Sequence, residues 1–362
     1  MFDIALGIFL FLSPIFFLLK QIGNVNALQF YQFGVLGNSG YNYLQLQFFQ
    51  LGIISLFLVA LLSKPIREFK DKTSIWLFLV FLIATYLHPI SVKYFGNILL
   101  GFLLYYLVIV YTKNYKTLFK FILAVSILNT IFAILQFFNI NLIYHSTGRC
   151  DGLMALSTHL GAYQAIVLPI CYSLNPWLII IPIISIVLSK SVLALFLMIG
   201  WLLFTFRKWI IERGSIFFMF LLSLLVFISI HYYPQIANKL YIRFTVWIPT
   251  LKMILDRLFQ GYGIKEFRFI SPLGLYENTC SIYFEYIYYF GVLSLIPLII
   301  FLKDKITGNK IILSSCIIAL IIGSILCITD YPRLMGTIIV LFGLSTITKG
   351  DKNGNRNGKV KI

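Results

Sequence analysis

The chain has 362 residues, 60% of them hydrophobic and only 11% charged, with a mean hydropathy of +0.93. A soluble domain is roughly half apolar and a quarter charged, so these proportions exclude an ordinary soluble enzyme and indicate an integral membrane protein. The net charge of +17 falls between apolar runs, where basic residues serve topology and lipid contact; with no soluble basic domain, nucleic acid is not an expected partner.

A spanning helix needs about 20 mostly apolar residues. Such runs fall at 2–19, 44–62, 74–89, 95–111, 118–138, 159–174, 176–189, 191–206, 214–231, 279–302, 310–328 and 334–348. They predict an all-α fold, a polytopic integral membrane helix bundle of about twelve transmembrane helices. The first run, MFDIALGIFLFLSPIFFLL, lacks a basic leader and a small-residue cleavage site and reads as an uncleaved span. Residues 27–43, ALQFYQFGVLGNSGYNY, read as an aromatic interfacial segment. Only Asn175-Pro176 and Ser189-Lys190-Ser191 separate the runs between 159 and 206. The tail 349–362 is polar, Gly- and Asn-rich and basic, and is expected to be disordered and cytoplasmic after a single transmembrane domain over 1–348.

Orientation follows from Lys and Arg in the short loops. With the amino terminus inside, eighteen of the 29 basic residues lie in inner segments and five (Lys20, Lys93, Arg149, Lys190 and Arg333) in short outer ones. Both termini are therefore expected in the cytoplasm of a plasma-membrane protein. The other six, Lys239, Arg243, Lys252, Arg257, Lys265 and Arg268, occupy one long segment, 232–277, on the side that the rule depletes. An anionic ligand at the outer face explains them; the alternative is a solvated loop touching anionic headgroups. Within this large outer loop Trp247, Leu251, Ile254, Leu255 and Leu258 recur at helical spacing, with Arg243, Thr250 and Arg257 on another face. An amphipathic surface helix is predicted there, started or kinked by Pro249 and ended by Gly261-Tyr262-Gly263.

Two further outer constellations could carry chemistry. In HSTGRCDGLMALSTHLGAY, residues 145–163, Arg149 and Asp151 share a Gly-bounded loop and His159 opens the next span. An ionisable group at mid-bilayer costs roughly 2.5 to 3.5 kcal/mol on insertion scales and is a functional candidate by default. The alternatives are a local Arg149–Asp151 pair, or a headgroup contact, and a structural His159. Lys190 in the turn LSKSV, Glu277-Asn278, and Asp330 with Arg333 in TDYPR complete the set. Arginine grips phosphate through parallel hydrogen bonds and a carboxylate can take a proton from a sugar hydroxyl, so these residues suit a phosphate leaving group. The five cysteines have no metal-ligand spacing. Cys150 and Cys280 both fall near the outer face, where a disulfide is the alternative to their use as apolar fillers. Motifs for nucleotide hydrolysis, zinc proteolysis or metal-dependent nucleotide-sugar transfer are missing, and neither a metal nor a cofactor is expected.

Four pieces, in order, resemble the bacterial O-antigen polymerase and O-antigen ligase superfamily of membrane glycosyltransferases: GRCDGLMALSTHLGAY, LSKSVLAL, RFTVWIPTLKMILDRLFQGYGIKEF and YENTCSIYFEYIYYFGVLSLIPLI. The resemblance covers roughly 145–348. It implies a GT-C-like helical fold and transfer of a glycan from undecaprenyl pyrophosphate to an acceptor sugar hydroxyl at the outer face of the bacterial inner membrane. Arg149, Lys190, Arg243 and Arg268 would bind the pyrophosphate, Glu277 or Asp330 would activate the acceptor, and His159 and Arg333 would lie nearby. Implied partners are the lipid-linked oligosaccharide, membrane lipid, a flippase and chain-length regulators. In the ligases a histidine precedes the asparagine that opens the span after the large loop; this chain has Glu277 there, which favours a repeat-unit polymerase over a ligase. A flippase or secondary transporter is the alternative of another class, but transporters place charges near mid-membrane, whereas here they cluster at outer ends.

Overall fold

The structure, a computed structural model, describes residues 1–23, 50–87, 92–140, 150–154, 157–207, 215–263, 269–271, 274–276, 281–305, 309–325 and 332–357. Its helices are α1 (Phe2–Gly23), α2 (Gln50–Leu61), α3 (Lys72–Leu87), α4 (Val92–Tyr111), α5 (Tyr115–Phe137), α6 (Ser157–Leu174), α7 (Ile180–Ser189), α8 (Val192–Thr205), α9 (Ser215–Asp256), α10 (Ile282–Phe290), α11 (Leu295–Lys305), α12 (Lys310–Ile325) and α13 (Pro332–Asn357). A short antiparallel hairpin, β1 (Phe269–Ser271) and β2 (Gly274–Tyr276), pairs Phe269 with Tyr276. The fold is thus all-α apart from this hairpin.

Short polar residues set where helices begin, because a helix start leaves backbone N–H groups without partners. Asn114 precedes α5 and its side-chain oxygen accepts from the Lys116 N–H at 3.0 Å. Asn309 does the same for the Ile311 N–H of α12 at 2.9 Å. Asp71 precedes α3, accepting from the Thr73 hydroxyl at 2.7 Å and, at 3.4 Å, from the Ser74 N–H. Asp3, in the first turn of α1, accepts from the N–H groups of Lys113 and Asn114 and ties the chain's start to the α4–α5 connection.

The chain forms two compact units, Met1–Ile122 with Thr245–Ile362, and Leu123–Phe244. In the first, α13 packs on α4, α12 and α1, while α11 packs on α3. One core cluster joins Phe81, Val246, Ile254, Tyr288 and Tyr289, and another joins Tyr105, Ile109 and Phe301. In the second, α6 is the centre: it packs on α7 and α8, and almost all its residues from Ser157 to Cys171 are buried.

Three features differ from the sequence expectation. The segment after 231 does not open into a loop, since α9 runs from Ser215 to Asp256 through Pro234 and Pro249. Pro249 therefore does not start a new helix. The change from apolar to basic composition at this point alters which side chains are presented without supplying a glycine to end the helix. The run expected over 279–302 is interrupted at Gly291 (φ 75°), which separates α10 from a short 3-10 turn and α11. Finally, α13 continues into the polar tail as far as Asn357. Among the described residues one helix, Tyr115–Phe137, is long and apolar enough to cross a membrane, and several shorter helices, including Gln50–Leu61 and Val192–Thr205, are apolar over 10–17 residues.

Candidate functional site

The second unit is built around a polar stripe on α5. Ser126, Asn129, Thr130, Ala133 and Gln136 recur at spacings of three and four residues, which puts them on one helix face, and all five are buried. The opposite face exposes Ile127 and Ile131. Polar groups buried away from water must find partners, and these do. The Ser126 hydroxyl donates to Oε1 of Gln164 on α6 at 2.5 Å, and Gln164 Nε2 donates to the Ser126 carbonyl at 3.2 Å and to the Ser185 hydroxyl of α7 at 3.3 Å. Thr130 and Ser185 share a hydroxyl contact at 2.7 Å.

The same stripe holds the loop that follows Arg149. Gln136 Oε1 accepts from the N–H groups of Asp151 and Gly152 at 2.9 and 2.8 Å, and Gln136 Nε2 donates to the Gly152 carbonyl. Two turns further back, Asn129 Oδ1 accepts from the Leu153 N–H at 3.0 Å. Two side-chain amides thus fix Asp151, Gly152 and Leu153 as a backbone template, and Cys150 through Met154 are buried.

The turn carrying Lys190 meets this loop. The Cys150 N–H points to the Leu188 carbonyl at 3.5 Å. Burial and the adjacent Asp151 carboxylate push the Cys150 thiol above its usual range, with Lys190 pulling in the opposite direction. Lys190 itself ends α7 in the left-handed conformation (φ 49°, ψ 32°), its N–H bonded to the Val187 carbonyl. The turn stays tight because the Ser189 hydroxyl donates to the Ile186 carbonyl and accepts from the Ser191 N–H. Gly161 of α6 lets this turn approach closely, since a Cβ there would stand 2.5 Å from that of Ser191. His159, two residues earlier, is buried within the same helix.

Of the residues picked out from the sequence, Asp151, His159 and Lys190 are therefore brought to one end of the second unit. Arg243 is half-buried on α9. Arg333 lies at the start of α13, and its side chain is outside the described part. Arg149, Arg268, Glu277 and Asp330 lie outside the described residues, as does Cys280.

Sequence reasoning missed three groups. The Asn129 and Gln136 amides were legible as polar residues seven apart in an apolar run. Glu285 of α10, buried and accepting from the Tyr289 hydroxyl at 2.9 Å, was legible as a lone acid inside an aromatic helix. The third, in the first unit, had no local signal. Lys305 and Asp71 form a buried ion pair at 2.6 Å, extended by Asp304 at 3.0 Å from the same ammonium, by the Tyr105 hydroxyl donating to Asp71, and by Thr346, whose hydroxyl shares a hydrogen bond with that of Tyr105. Burial alone would raise the Asp71 pKa, but the bonds from Lys305, Tyr105 and Thr73 outweigh it and hold the carboxyl below its usual range. Compared with protein families, characterised proteins and solved structures, the chain finds no match.

Proposed function

We propose that the protein is a polytopic, GT-C-like membrane glycosyltransferase of the O-antigen polymerase and ligase type, which extends a surface polysaccharide at the outer face of the bacterial plasma membrane. The membrane part of this reading is supported by α5, whose polar face is buried and whose apolar face is exposed, the reverse of a soluble surface helix. Exposed apolar residues such as Leu51, Leu58, Leu61, Trp76 and Ile83 on α2 and α3 follow the same pattern.

The observation that carries the catalytic part is the meeting of the Cys150–Leu153 loop with the Lys190 turn. Two segments that the sequence resemblance singles out as anion-binding, about forty residues apart, share one polar scaffold. In the proposed reaction Arg149, Lys190, Arg243 and Arg268 hold the pyrophosphate of a lipid-linked oligosaccharide. An acceptor sugar hydroxyl attacks the anomeric carbon, the bond from that carbon to the pyrophosphate oxygen breaks, and Glu277 or Asp330 takes the hydroxyl proton. The lipid pyrophosphate leaves with the bonding electron pair.

The test compares surface glycan and lipid-linked intermediates from cells lacking the protein, rescued by wild type or by Arg243→Ala. Single repeat units without long chains, corrected by wild type alone, are the expected result. Accumulated full-length polymer on the lipid would instead indicate a ligase, and unchanged chain length in the deletion strain would overturn the reading.

A further inference from the structure

The first unit seats a cation deep among its own helices. The Lys305 ammonium, at the end of α11, lies 2.6 Å from a carboxylate oxygen of Asp71 and 3.0 Å from one of Asp304, and the lysine side chain is only 1% exposed. It also stands 5.7 Å from the centroid of the Tyr105 ring and 5.1 Å from that of Phe301, two rings that contact each other at 5.9 Å. Two carboxylates and two aromatic rings about one nitrogen are the surroundings of a bound organic ammonium. The oxygens take its N–H donors, and the rings attract its charge where water is excluded. A calcium or magnesium ion would instead call for a shell of oxygens alone.

The walls of this pocket have partners besides the ammonium. The Thr73 hydroxyl and, at longer range, the Ser74 N–H bond the other Asp71 oxygen, at 2.7 and 3.4 Å. The Tyr105 hydroxyl donates to Asp71 and shares a hydrogen bond with the Thr346 hydroxyl of α13 at 2.9 Å. Phe301 packs on Phe342 at 5.9 Å between ring centroids and lies in a core cluster with Tyr105 and Ile109. The Ser345 hydroxyl donates to the Lys305 carbonyl at 2.5 Å, so the end of α11 is also anchored through its main chain. Walls held in this way are preorganised and keep their shape when the occupant is exchanged. Asp304, with 28% of its side chain exposed, makes one edge of the pocket reachable from the surface.

We propose that this pocket is a binding site for a primary alkylammonium and that Lys305 is its tethered occupant. The chain supplies from its own sequence the cation that joins the start of α3 to the end of α11, and a free amine of matching length takes the same seat once the lysine side chain is shortened. The pocket belongs to the first unit and is independent of the glycosyltransferase reading.

The test is a melting-temperature titration of the detergent-solubilised full-length protein at neutral pH, where an alkylamine is charged as lysine is. Lys305→Ala keeps Cβ and removes the rest, a gap that n-propylammonium matches in length. The variant should melt below wild type and regain most of the lost interval as n-propylammonium chloride is added, the rise growing with concentration as mass action requires of a ligand of the folded state. Neither n-propanol, the uncharged counterpart, nor sodium chloride at equal concentration should reproduce it. Lys305→Met, which fills the seat with an uncharged chain, should not respond. If Lys305→Ala does not fold, Lys305→Ala combined with Asp304→Asn, which strands one carboxylate fewer, carries the same comparison. No rise in the folded alanine variant, an equal rise with n-propanol or sodium chloride, or an equal rise in Lys305→Met or wild type would each overturn the proposal.

Discussion

Asp71 and Lys305 stand 234 residues apart in the chain, yet their carboxylate and ammonium meet at 2.6 Å with side chains only 2% and 1% exposed. The pair joins the start of α3 to the end of α11. Removing one partner of a buried pair strands the other charge, at a cost of about 3 to 5 kcal/mol. Lys305→Met, which leaves the Asp71 and Asp304 carboxylates without a cation, should lower the melting temperature of the detergent-solubilised protein most. Asp71→Asn preserves the helix cap and leaves Asp304 beside Lys305, so its effect should be smaller. The exposed Glu68–Lys70 pair at 2.8 Å is the contrast, and Lys70→Ala should leave the melting temperature unchanged.

A pH dependence follows from the lowered pKa of Asp71. A carboxyl whose folded pKa lies below its unfolded value contributes stability above the unfolded value, about 3.9, and loses it as pH falls through the folded one. Wild type should therefore hold this contribution at neutral pH and lose it only in acid below about pH 4. Melting curves between neutral and acid pH should show a smaller acid-dependent drop in Asp71→Asn; an identical drop would remove Asp71 as its source.

The loop after Arg149 is held by Gln136, and Gln136→Ala leaves two buried N–H groups without their acceptor, at about 1 to 3 kcal/mol each. The local consequence is more specific than the loss of stability. Cys150 is a buried residue of this loop, so maleimide labelling at Cys150, located by peptide mass spectrometry, should be slow in wild type and faster in the variant. Equal labelling rates would show that the amide does not hold the loop.

Lys190 separates a structural role from a functional one. A non-glycine residue in the left-handed region carries a conformational cost of roughly 1 to 2 kcal/mol, so Lys190→Gly should leave the fold as stable as wild type or more so. If the ammonium serves the pyrophosphate, the same variant should lose polymer length on the glycan gel. Full activity in the glycine variant would restrict Lys190 to ending α7.

How much of this was readable from the chain depends on the range of the interaction. Helix positions were legible because apolar runs and their breaks are local: the runs at 74–89, 95–111, 159–174, 176–189 and 191–206 correspond to helices within a few residues, and Gly261 and Gly263 both take the positive φ expected of them (67° and 73°). The Asp71–Lys305 pair was not legible, because both residues lie in short basic segments whose charge the expected topology already explained, 234 residues apart in the chain. The continuity of α9 was hidden by its charge, which marks a change of surroundings rather than a change of backbone. The polar stripe of α5 was readable in principle, but a scan for charged groups passes over amides, and it is Gln136 and Asn129 that shape the site.

Gly261 and Gly291 face one another across the α9 turn and the break after α10. A Cβ on Gly261 would stand 2.6 Å from the Gly291 nitrogen, and one on Gly291 would stand 2.3 Å from the Phe259 carbonyl oxygen. Each position is closed to a side chain by the backbone of the other segment, so neither glycine can drift independently over evolutionary time. In descendants of this sequence the two should be kept as a pair, or lost as a pair in lineages where the turn has been rebuilt by insertion or deletion, leaving a trace of this contact in any future family alignment.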